Sequence, residues 1–85
     1  MDLEALNLTP EKLLIAVRRS TRARYRYVHQ CNAQGVKVDP AVDHQLTNHM
    51  TLLQDLAQAA GLDSEDVVKM TQLGTAQART EALDS

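Results

Sequence analysis

Eighty-five residues with a formal net charge of −2, one cysteine and three histidines make one domain at most, residues 1–85. Such a chain buries only about 60% of the surface its unfolded form exposes, and with 12 Leu, 7 Val and one Ile but no Phe or Trp its core is thin, so self-association or a bound partner is expected to supplement it. Lone Cys31 excludes an internal disulfide, and neither a secretory leader nor the roughly 20 apolar residues of a membrane span can be read in the chain, which predicts a cytoplasmic protein with no membrane partner.

Residues 1–8 carry Leu3, Leu6 and Leu8 with Asp2 and Glu4, the composition of an arm lying across whatever follows. Thr9-Pro10-Glu11 then starts a long helix: a hydroxyl N-cap, proline at the first helical position, and an acid near the positive end of the dipole. No Gly or Pro interrupts until Gly35, so the first helix is expected over about 10–34. Gly35 offers a left-handed stop, and Asp39-Pro40 offers a cap and a first helical residue for a second helix over about 40–60, which Gly61 ends.

The apolar stripe of the first helix runs Leu13, Val17, Val28, Cys31, with Ser20, Thr21 and Arg24 interrupting it. That of the second runs Val42, Leu46, Leu53, Leu56, Ala60, interrupted by His49. Folded antiparallel about the 35–40 turn, the two stripes place Val17 near Leu56, Val28 near Leu46, and Arg24 near His49 as a polar core layer. Asp63 or Ser64 caps a third, shorter helix over about 63–73, with Val67 and Met70 facing inward and Gly74 as its end. Residues 75–85 are too weakly patterned to count as an element and read as a disordered tail. The fold expected is all-α: an antiparallel helical hairpin with a short third helix, a small helical bundle.

Charge is unevenly spread. Residues 10–34 carry Lys12, Arg18, Arg19, Arg22, Arg24 and Arg26 against Glu11, a balance of +5, whereas residues 61–85 carry two bases against five acids. At 100° per residue Arg18, Arg22 and Arg26 stack on one face with Arg19 beside them. This ridge, with Leu14, Met50 and Leu52 as exposed apolar points, is the expected partner-binding surface. The ridge also suits a phosphate backbone, although the acidic balance of the whole chain disfavours nucleic acid.

Leu56 to Val67 resembles the helix-turn-helix pattern, with small Ala57, Gly61 at the turn, Leu62, and β-branched Val67. The resemblance implies a DNA-binding regulator using residues 52–71. Against it, the would-be recognition helix opens on Asp63, Glu65 and Asp66, which repel phosphates.

No metal site is expected: His44 and His49, five residues apart, diverge by about 140° on a helix, and His29 and Cys31 point in nearly opposite directions. No catalytic residue and no cofactor are expected either, because no nucleophile meets a base and no glycine-rich loop cradles phosphate. In length and in its Gly to Asp-Pro turn, the chain is similar to the small helical-hairpin adaptors, co-chaperones and inhibitors of bacterial secretion systems and phages. The resemblance implies a non-enzymatic module that binds another protein, itself as a homodimer, or both.

Overall fold

The computed structural model describes the backbone of residues 8–84 and the side chains of residues 8–82; the arm expected over residues 1–8 lies, apart from Leu8, outside them. The caps legible in the sequence are made as their chemistry dictates. Helix α1 spans Pro10–Gln34: Thr9 Oγ1 accepts the Lys12 N–H at 3.1 Å, and Pro10, which has no N–H to leave unpaired, opens the helix. Gly35 closes it at φ 67°, donating to Asn32 O while Val36 N–H reaches back to Cys31 O at 2.9 Å. These two reversed bonds satisfy carbonyls that the helix end would leave bare.

Helix α2 spans Pro40–Ala59. Asp39 Oδ1 accepts the Ala41 N–H at 2.9 Å, and the Asp39 N–H donates to Tyr27 Oη at 2.8 Å, which ties the turn to α1. At the far end Gly61, φ 81°, repeats the closure: its own N–H donates to Gln58 O, and that of Leu62 to Ala57 O. Asp63 Oδ1 then accepts the Glu65 N–H at 2.9 Å and starts α3, Ser64–Asp84.

The length of α3 corrects the expectation. Gly74 does not end the helix, and residues 75–84 are no disordered tail. A Cβ at Gly74 would lie 2.5 Å from Arg18 O and 3.1 Å from Arg22 N, both backbone atoms of α1. The missing side chain is therefore used for close approach of two helices rather than for a left-handed turn. One turn later Ala78 is fully buried, and the alanines beyond Gly74 are the best intrinsic helix formers.

Gly74 meets α1 at Arg18 to Arg22, and Glu81, two turns on, meets Arg22 and Arg26. Helix α3 thus runs parallel to α1, while α2 runs back between them in chain order. α1 shares its largest interface with α3 and a smaller one with α2, whereas α2 and α3 barely touch. Gln54 Nε2 donates to Thr71 Oγ1 at 3.3 Å across that slight meeting. The antiparallel hairpin is present, but the bundle is organised on α1 rather than on the α1–α2 pair.

The apolar core gathers at the end where α2 turns into α3. Leu13, Val17, Ala57 and Val67 are buried there, with Leu14, Leu53, Leu56, Leu62 and Met70 packed around them. Above it, the polar interruption of the α1 stripe has a different use from the one expected. Ser20 and Thr21 are buried, and both hydroxyls donate to Val17 O at 2.9 Å. A hydroxyl satisfied within its own helix can be buried without a partner from another element.

The Arg24–His49 core layer does not form. Arg24 Nε bonds Asp43 Oδ1 at 3.1 Å, and the guanidinium carbon lies 4.8 Å from the Tyr25 ring centroid. Asp43 stands six residues nearer the turn than His49, within reach of a long side chain that snorkels toward the surface. His49 is exposed. A carboxylate and a ring face supply the guanidinium with partners that an imidazole does not offer.

Candidate functional site

The ridge predicted along α1 is divided by the fold. Arg22 Nε and Arg26 Nε approach the two oxygens of Glu81, at 2.5 Å and 3.4 Å, so one carboxylate on α3 serves two guanidinium groups. The hydrogen bond from Arg22 holds the Glu81 carboxyl below its usual range, partial burial opposes this, and the charges of Arg22 and Arg26 reinforce it. The same bond raises the Arg22 pKa. Arg18 is half-buried, with its backbone beneath Gly74. Arg19 remains exposed and turns toward α2.

The apolar points divide as well. Leu14 packs against the core and is not an exposed anchor, which corrects its assignment to a free surface. Met50 is half-buried, whereas Leu52 is 64% exposed. A further exposed apolar residue, Ile15 at 40%, escaped the sequence reading because it lies off the stripe.

Ile15 leads to the main concavity of the described residues, a groove of about 550 Å³ between α1 and α2. Its floor is small and apolar: Ala16, Ser20 and Ala23 on α1 with Leu53 on α2. Its rim is Lys12, Ile15 and Arg19 on α1 and His49 on α2. The groove exists because α1 presents small side chains at i, i+4 and i+7 along this edge, and α2 does not bring its own backbone close enough to fill them. That stripe was the signal available in the sequence. Neither Lys12 nor Arg19 forms an ion pair among the described residues, so the rim carries uncompensated positive charge. Of the expected contact residues, Arg19 and His49 line this groove, and Leu52, three residues beyond His49, lies on the same side of α2.

The groove offers binding and orientation by shape and charge. Among the described residues no group of three His, Cys, Asp or Glu side chains is disposed to hold a metal ion, and Cys31 is buried near the opposite end of α1. No helix among them is long and apolar enough to cross a membrane.

The α2–α3 corner has the spacing and packing of the helix-turn-helix pattern: Ala57 and Val67 are buried, Leu62 is half-buried and Gly61 has φ 81°. Its acids have structural work, since Asp63 caps α3 and Glu65 and Asp66 occupy the first turn, all exposed. Comparison of the chain with family models, with curated proteins and with solved structures finds no match, so its surface is the ground on which function is argued.

Proposed function

We propose that this protein is a small non-enzymatic protein-interaction module, of the adaptor, co-chaperone or inhibitor type, and that its α1–α2 groove receives an apolar segment flanked by acids. The observation that carries this is the groove itself: an apolar floor, exposed Ile15 and Leu52 beside it, and unpaired Lys12 and Arg19 on its rim. Exposed apolar side chains around a concavity supply binding energy, while rim charges select the partner and speed encounter. A second copy of the chain is one such partner. Light scattering tests the homodimer directly.

The wider reading is tested by selecting a displayed library of helical peptides on the wild-type protein and on Ile15→Glu. Enrichment of sequences with apolar residues one turn apart and acids beside them, lost on the variant, supports it. No enrichment on the wild type, or enrichment indifferent to the variant, rejects it.

The corner geometry favours DNA binding as the second reading, and its charge opposes it. Three exposed acids at the start of α3 face the side from which phosphates would approach. Gel-shift titration with random duplex at low salt separates the two: retardation there that weakens steeply with added salt would restore the DNA reading.

A further inference from the structure

The groove begins at Lys12, only two residues into α1, and the chain that precedes the helix carries a matching set of groups. Residues 1–7, MDLEALN, hold Leu3 and Leu6 one helical turn apart together with Asp2 and Glu4, and no basic side chain. Resting on the reading of the groove as a binding site for an acidic apolar segment, we propose that residues 1–7 of the same chain fold back along α1 and occupy the α1–α2 groove as its resident ligand. Leu3 and Leu6 cover the floor at Ala16 and Ala23. Asp2 and Glu4 face Lys12 and Arg19.

Reach allows this. Seven residues span at most about 25 Å when extended, whereas Lys12 to Ala23 is about 16 Å along a helix. The exit direction also suits it. Thr9 is extended, at φ −110° and ψ 159°, so the preceding chain leaves the helix axis instead of prolonging it, and Leu8 and Leu13 stand at the spacing of a hydrophobic staple that fixes the angle of entry.

Charge selects this groove over the one on the other side of α1. There Arg22 and Arg26 already share Glu81, and Glu11, on that side of α1 by its helical position, would repel the acids of the segment. Along the α1–α2 groove the two rim cations have no acid, and their attraction is strengthened by the apolar floor beneath. A partner that uses the groove must then displace the segment, which lowers its apparent affinity by the fraction of molecules with the groove open.

The test places a nitroxide at position 5, which is neither an anchor nor a charge, in the full-length ¹⁵N-labelled Ala5→Cys/Cys31→Ala protein. The expected result is loss of the amide signals of Ala16, Ala23 and Leu53 with those of Thr75 and Ala78 retained, and recovery of the lost signals in a Lys12→Glu/Arg19→Glu background. An equimolar mixture of unlabelled spin-bearing chain and ¹⁵N chain without the nitroxide should show no loss. Losses centred on α3, no losses, or losses that appear only in the mixture and thus come from a second copy each overturn the proposal. Should removal of Cys31 impair folding, a photo-crosslinking residue at position 5 of the otherwise native chain must join to residues 12–23 of the same molecule. Neither readout requires a partner, so a docked segment without peptide enrichment rejects the partner reading alone, and peptide enrichment with an undocked segment rejects this inference alone.

Discussion

The two seams along α1 are built from similar residues and end differently. Toward α3, α1 presents Thr21 and a stretch of backbone, and α3 answers with Gly74 and Ala78, so the helices close until a single Cβ would not fit. Toward α2, α1 presents Ala16, Ser20 and Ala23, but α2 answers with His49 and Leu53, and a groove of about 550 Å³ remains. Small residues on both faces give close packing, whereas small residues on one face give a concavity. The first seam holds α1 and α3 together, and the second provides the candidate binding surface.

The largest expected loss comes from the core that both seams share. Leu13, 1% exposed, should cost about 2–5 kcal/mol on replacement by Ala, read as a shift in the urea midpoint. A cost below about 1 kcal/mol, within the range of surface substitutions and small repairs, would show that stability resides elsewhere.

Gly74→Ala breaks the tight seam alone. Alanine gains up to about 1 kcal/mol of intrinsic helix propensity, yet the clash with Arg18 O should reverse the sign and leave a net loss of about 1–3 kcal/mol. A more stable variant would mean that α3 is not seated as described. Ala16→Leu makes the complementary change at the open seam. There is room for the added carbons, so stability should stay within about 0.5 kcal/mol of wild type, while peptide binding to the groove falls; a large loss of stability would reveal a closed seam.

The smallest effect concerns the ion pair that fastens the end of α3. The Glu81 pKa is depressed in the folded state, so its contribution is present above the usual glutamate pKa of about 4.3 and is lost as pH falls through the folded value. Glu81→Gln should therefore melt slightly below wild type at pH 7 and coincide with it at pH 2, and added salt should narrow the gap at pH 7 because the groups are partly exposed. An unchanged difference across that pH range would remove the pair from the account.

The hairpin was legible because its signals are local. Thr9-Pro10, Gly35, Asp39-Pro40 and Gly61 each act on their own backbone or on groups within five residues, and every one of those caps is made. The second half of α3 was not legible, because its support comes from α1: Glu81 is 59 residues from Arg22 in sequence. The candidate site was half legible. Arg19, His49 and Leu52 were identified, but the ridge and the Arg24–His49 layer were assembled on a hairpin taken alone, without the helix that claims Arg22 and Arg26 or the nearer acid that claims Arg24.

The three glycines mark the boundary between what the sequence determines and what it leaves to the fold. At Gly35 and Gly61 the neighbours upstream are helical and the residues downstream are caps, so the left-handed conformation follows from the chain itself. At Gly74 the same residue stays within a helix, and what matters is the missing Cβ. Sequence specified the all-α class, the positions of the turns and the cationic face of α1. Only tertiary structure decided the length of α3, which arginines are neutralised and where the groove lies, since a glycine's role depends on whether another backbone stands in front of it.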